Sequence, residues 1–149
     1  MPEFTGIIAI GSDHAGYNTK EFIKRCLEAE GYHFRDFGTF SEDRVDYPDI
    51  AHLLANAIQH RQFEFGILIC GSGNGVAIVA NKYRDVRAGI CWSEEITRLA
   101  RQHNDANILA LPGRFITPEE AVLFSKIFLT TAFEGGRHAI RVEKILKIL

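Results

Sequence analysis

Short apolar runs alternate with segments of helical periodicity along all 149 residues of the chain. Ile7 to Ile10, Ile67 to Ile69, Val86 to Ile90 and Ile108 to Leu111 are apolar throughout or nearly so, the pattern of strands covered on both faces. Tyr32 to Phe37 carries His33, Arg35 and Asp36 and predicts an edge strand. Between the strands, Ile50, Leu53, Leu54, Ala57 and Ile58 recur at i, i+3, i+4, i+7 and i+8, predicting a helix packed on the sheet. Ile96, Leu99 and Ala100 repeat that stripe. Thr117-Pro118-Glu119-Glu120 sets a capping threonine before proline and glutamate and predicts a helix start, continued by Ala121, Phe124 and Phe128. After Gly135-Gly136, a last helix places Val142, Ile145, Leu146 and Leu149 on one face expected to pack inward. No strand follows it, and such an appended amphipathic helix often docks on a partner subunit. The alternation as a whole is the α/β signature.

The length fits one domain, residues 1–149, with room for a substantial core. A net charge of −2, with Lys and Arg scattered until the C-terminal segment, offers no broad basic surface for nucleic acid or an anionic membrane. A small molecule is the default ligand. Three cysteines, Cys26, Cys70 and Cys91, show no CxxC spacing, which argues against a disulfide framework and a structural zinc site. Reduced thiols in the cytoplasm are expected. Neither a secretory leader pattern nor a membrane-length apolar stretch is found, so no membrane association is expected.

In an open parallel sheet, ligands bind beyond the carboxyl ends of the strands. Those positions hold Gly11-Ser12-Asp13-His14-Ala15-Gly16, Cys70-Gly71-Ser72-Gly73-Asn74-Gly75 and Pro112-Gly113-Arg114. Asp46-Tyr47-Pro48-Asp49 opens the second helix, and His103-Asn104-Asp105 ends the helix after the fourth strand. All are expected to face one crevice. Cys70 sits where a buried strand empties into a glycine-rich helix start, so its thiolate can remove a carbon-bound proton beside backbone donors suited to an oxyanion. Taken alone, it reads more readily as a small core hydrophobe. The glycine loop can hold a phosphate or an enediolate oxygen at a helix N-terminus, or serve only as a tight turn. Its GxGxG spacing disfavours dinucleotide binding, and the missing Gly-Lys-Ser/Thr excludes a P-loop. Val76 stands where a cysteine phosphatase would need its arginine.

On these motifs, with Ala80-Asn81-Lys82, Arg101-Gln102-His103-Asn104-Asp105, Glu134-Gly135-Gly136-Arg137-His138 and Arg141, the chain resembles ribose-5-phosphate isomerases of the B type. That family includes galactose-6-phosphate isomerases, and the resemblance runs nearly end to end. It implies a three-layer α/β/α Rossmann-like domain with a five-stranded parallel sheet and the appended C-terminal helix. It also implies a homodimer or dimer of dimers whose active sites draw on two subunits. The implied reaction interconverts ribose 5-phosphate and ribulose 5-phosphate through ring opening and a cis-enediolate, with no metal or organic cofactor. The alternatives are a six-carbon substrate, galactose or allose 6-phosphate, and a non-catalytic sugar-phosphate-binding module.

The resemblance makes Cys70 the base, with the amides of Gly71, Ser72, Gly73, Asn74 and Gly75 receiving the developing oxyanion. Family members without this cysteine carry an acidic residue where Val76 stands, which places the chain among the cysteine users. His103 becomes the ring-opening group, although by itself it continues the apolar stripe from Ile96 and reads as a core histidine. Ser72 would relay a proton between O1 and O2, or simply cap the helix. Arg114, Arg137 and Arg141 would hold the phosphate; the latter two share a helix face and otherwise read as solvated surface. His14 would assist phosphate or ring binding, Asp13 would orient hydroxyls, Asn104 would add a donor, and Tyr47 would line the pocket or only a turn. A metal site from Asp13, His14 and His103 matches no established ligand spacing.

Overall fold

Each apolar run becomes a strand whose alternate side chains enter two different cores, as a period of two dictates. The computed structural model describes residues 4–147. Its strands are Ile7–Ser12 (β1), His33–Asp36 (β2), Gly66–Cys70 (β3), Ala88–Ile90 (β4) and Ile108–Pro112 (β5). All pairs are parallel, in the order β2-β1-β3-β5-β4. Ile8, Ile10, Ile67, Ile69, Leu109 and Leu111 face a core shared with helices Tyr17–Glu28 (α1), Glu94–Gln102 (α4) and Pro118–Thr130 (α5). Ala9, Leu68, Cys70, Ile108 and Ala110 face the opposite core, under helices Tyr47–Gln59 (α2) and Asn74–Ala80 (α3). The result is the expected α/β/α sandwich with Arg137–Lys144 (α6) appended.

The capping box at Thr117 forms as read: its hydroxyl accepts the Glu120 amide at 3.0 Å while Glu120 accepts the Thr117 amide at 2.9 Å. β2 is an edge, as expected, but so is β4, which is shorter than the run Val86 to Ile90. Val86 is buried, yet its amide bonds to Tyr83 in a turn and leaves the ladder.

Two stripes differ from their sequence reading. Leu53 is 59% exposed, and the buried face of α2 instead runs through Ile50, Ala51, Leu54, Ala55 and Ile58. At about 100° per residue, Leu53 lies roughly a third of a turn from the centre of that face. The α6 stripe does not pack inward either: Ile145 and Leu146 are 57% and 40% exposed, Val142 is half-buried, and only His138 of this helix is buried. Ile145 and Leu146 instead border an open groove beside Lys82, Arg84 and Ala88, so the stripe lies on the surface. Leu149 lies outside the described residues.

Buried charge anchors the loop after β2. Lys20 of α1 has no exposed surface and donates to Asp36 Oδ2 at 2.5 Å, while Lys24 donates to the same oxygen at 2.9 Å. Asp36 Oδ1 accepts the Gly38 amide at 2.8 Å. Burial alone would raise the Asp36 carboxyl, but the Lys20, Gly38 and Lys24 hydrogen bonds outweigh it and hold it below the usual carboxylate value.

Candidate active site

The chain moves outward from β1 to β2 and then crosses back to β3, so the β1/β3 boundary is a topological switch point. Connections leave it toward opposite faces and open a crevice of about 310 Å³. Asp13 comes from the end of β1, and Cys70, Gly71, Ser72 and Gly75 come from β3 and the loop into α3. Tyr47 opens α2, and Arg114 and Phe115 follow β5.

Cys70 is the last residue of β3, paired in register with Pro112, and its carbonyl accepts the Gly113 amide at 2.9 Å. Its side chain belongs to the core under α2 and α3, and the 4% that is exposed meets the crevice. Cys91 differs: it is fully buried, and desolvation pushes its thiol up to about 11 despite a hydrogen bond with Thr97. Cys91 therefore stays protonated and inert near neutrality.

The loop geometry explains its glycines at two positions. Gly73 has φ 76°, the left-handed region that side chains disfavour, and starts α3. A Cβ on Gly75 would stand 2.7 Å from the Tyr47 ring, so only glycine lets that ring lie against the helix start. Arg114 crosses the same loop. Its amide donates to the Gly71 carbonyl at 3.0 Å, and its Nη1 lies 3.2 Å from the position of a Gly71 Cβ. Ser72 Oγ accepts the Asn74 amide at 3.2 Å, so the exposed hydroxyl fastens the turn and also lines the crevice.

Asp13 Oδ1 accepts the Ala15 and Gly16 amides at 3.0 and 3.2 Å, capping the short turn that leads into α1. His14 is outside the crevice lining; its Nδ1 accepts the Val45 amide at 3.3 Å, which requires the neutral ring to carry its proton on Nε2. Gly73 is buried beneath Leu111 and Pro112. Asn74 faces a neighbouring groove with Ile78, Asn81 and Ile90.

His103, Asn104, Arg137 and Arg141 form a separate group. Arg101, buried over the Phe65 and Phe128 rings, donates to Asp105 Oδ1, the Ala106 carbonyl and the Thr131 carbonyl at 2.9, 2.7 and 3.1 Å. Arg87 Nε donates to the Asp105 carbonyl at 2.9 Å. These bonds fix the turn after α4, where His103 is the C-cap. The Glu134 amide donates to the Gln102 carbonyl at 3.0 Å and brings α6 back over that turn. His138 then stacks on His103, with ring centroids 4.0 Å apart and planes inclined by 11°. Burial first, then the charges of His103, Arg137 and Arg141, hold His138 below its ordinary pKa against the opposing pull of Glu134. Asn104 lines a larger groove, about 540 Å³, between Lys82, Arg84 and Ala88 on one side and Ile145 and Leu146 on the other.

Thus Asp13, Tyr47, Cys70, Gly71, Ser72, Gly75 and Arg114 meet in one crevice, and none of the second group lines it. Phe115, 77% exposed at its rim, was not singled out in the sequence, although it directly follows Arg114 at a strand end. His138 and Glu134 fall in a motif that carried the resemblance, yet received no role there.

Residues 8–145 match the sequence profile of the family described as Ribose/Galactose Isomerase. Ribose-5-phosphate isomerase B of Escherichia coli is 42% identical over 141 residues, covering 95% of this chain and 95% of the relative. The crystal structure of a ribose 5-phosphate isomerase from Thermotoga maritima has 47% identity and a TM-score of 0.94, covering 97% of this chain and 100% of that one. A Mycoplasma genitalium ribose-5-phosphate isomerase B, solved with bound ribulose-5-phosphate, has 40% identity and a TM-score of 0.90, covering 99% and 97%. With a profile match across nearly its whole length and relatives well above 30% identity, the chain belongs to the ribose/galactose isomerase family.

Proposed function

We infer that the chain is a single-domain isomerase interconverting ribose 5-phosphate and ribulose 5-phosphate. The observation that carries this reading is Cys70 at the switch-point crevice under Arg114, in a chain of this family. The M. genitalium relative's bound ribulose-5-phosphate supports the same substrate class.

In this reading, His103 exchanges a proton with the ring oxygen and opens the furanose. The Cys70 thiolate then removes the C2 proton, and the C2–H electron pair moves into a C1–C2 double bond as negative charge develops on O1. Amides of the Gly71 to Gly75 loop stabilise that charge, a contribution that typically matches the base in size. Ser72 moves a proton between O1 and O2, and the Cys70 thiol returns a proton to C1, leaving the ketose. Arg114, Arg137 and Arg141 hold the phosphate, while Asp13, His14, Tyr47 and Asn104 orient the sugar.

The separation of the two groups within one chain supports a homodimer, or a dimer of such dimers, in which one subunit supplies the Cys70 crevice and its partner supplies His103, Arg137 and Arg141. The exposed Ile145 and Leu146 offer apolar surface for that contact. Among the described residues no helix is long and apolar enough to cross a membrane, and Cys26, Cys70 and Cys91 are free thiols, which suits a cytoplasmic setting.

Two measurements test this. Ribose 5-phosphate in deuterated water should yield ribulose 5-phosphate carrying solvent deuterium at C1, with six-carbon sugar phosphates turned over more slowly; absence of product or of label would reject the reaction. Cys70→Ala and His103→Asn chains, each inactive alone, should recover about a quarter of wild-type activity when refolded together, because half the dimers then hold one intact site. Full inactivity of the mixture would reject the shared site.

A further inference from the structure

The second group contains an arrangement that isomerisation does not require. His103, Glu134 and His138 each offer one ligand atom, and these atoms all lie within 4.8 Å of one another. His138 is 5% exposed, and its Nε2 is buried without a hydrogen-bond partner; Glu134 Oε2 lies 3.5 Å away. A buried ring nitrogen left unsatisfied beside a carboxylate and a second imidazole marks a place for a ligand that accepts lone pairs. Two imidazoles and one carboxylate are a zinc-type donor set that leaves a fourth position open.

The three donors reach one ion once the His103 ring turns out of its stack on His138, because a metal–imidazole bond lies in the ring plane and the two planes are inclined by only 11°. A tetrahedral ion with bonds of about 2.1 Å needs ligand atoms about 3.4 Å apart. The Glu134 side chain is half exposed and free to turn inward, and His103 caps a helix end where its ring can tilt. The backbone beneath is rigid, since Arg101 fixes the turn after α4 and the Glu134 amide is tied to Gln102. Arg137 and Arg141 oppose a cation here, so binding is expected to be weaker than at a structural site.

We propose that His103, Glu134 and His138 bind a zinc-class divalent cation, which inhibits isomerisation by occupying a ring nitrogen of His103. The inhibitory half rests on the ring-opening role proposed for His103; the binding half does not. The full chain, stripped with chelator, is titrated with zinc chloride by calorimetry and with cobalt(II) chloride by visible absorption. One ion per chain is expected. The cobalt spectrum should show tetrahedral d–d bands without a thiolate charge-transfer band, and turnover should fall with occupancy. Glu134→Gln, half exposed and therefore expected to fold, should raise the zinc concentration for half-occupancy by about tenfold or more. Its zinc response is read against its own metal-free turnover. Absence of stoichiometric uptake, uptake indifferent to Glu134→Gln, or a thiolate band placing the ion on a cysteine overturns the site and leaves the role of His103 untouched. Uptake that depends on Glu134 while turnover continues undiminished overturns the inhibition and the ring-opening role together.

Discussion

Replacing Cys70 with alanine is expected to lower turnover of ribose 5-phosphate by at least about 10²–10⁴-fold, the contribution of a positioned acid–base group, with sugar-phosphate affinity nearly unchanged. The two effects separate because the proposed phosphate contacts come from arginines, whereas the role proposed for the thiol is confined to the carbon proton. Fold loss is not expected: the side chain is small, the backbone is held by the β5 ladder and the Gly113 amide, and the sheet continues on both sides of β3. Steady-state kinetics with calorimetric binding checks this, and a Cys70→Ala protein with ordinary turnover would remove the sulfur from the mechanism. Cys91→Ala, which alters a fully buried thiol outside the crevice lining, serves as the control and should leave the rate near wild type.

The second large effect concerns stability. Asp36→Ala should lower the unfolding free energy by about 3 kcal/mol, the low end of the cost of breaking a buried pair, because the fully buried Lys20 ammonium loses its close partner and keeps only the partly exposed Glu21 carboxylate at 3.6 Å. Urea unfolding at neutral pH measures the loss. Replacing both partners, Lys20→Met with Asp36→Leu, should recover much of it, since the desolvation cost then disappears from both sides. The pH dependence carries a definite sign. The folded-state pKa of Asp36 is depressed below its ordinary value of 3.8, so its contribution is fully present above that value and is lost as the pH falls through the lower, folded-state value. The gap between wild type and Asp36→Ala should therefore be constant near neutrality and close only in strong acid. A gap that persists unchanged to low pH would show that the carboxylate charge is not what stabilises the loop.

Neither the Lys20–Asp36 pair nor the His103–His138 stack was readable from spacing. Lys20 lies on a helix and Asp36 on the following strand, 16 positions later, and nothing in the local pattern marks that lysine as buried. His138 follows an arginine on a polar helix start, and its partner is 35 positions upstream. Such contacts depend on where a returning segment lands, a property of the assembled layers rather than of any window along the chain. The failure of Leu53 is milder. Its i+3 spacing was correct for a helix, but the angular width of the buried face is set by how closely α2 approaches the sheet. A Cβ on Gly66 would stand only 2.7 Å from Leu54, so the small residues Ala51 and Ala55 take positions against the sheet while Leu53 stays outside.

By itself, the sequence determined the kind and order of the elements, because hydrophobic period and capping chemistry act within a few residues: the five strand runs, the fourth cut short to Ala88–Ile90, the Thr117 capping box and the glycine turn after Cys70 formed along the predicted pattern. Its motifs also determined the family. Only the tertiary structure decided the strand order, and with it the switch point at which Asp13 and Cys70 face one crevice while His103 and the α6 arginines face another surface. The physical reason is range: turns and periodicity are settled by neighbours along the chain, whereas the meeting of strand ends is settled by which faces must be buried together.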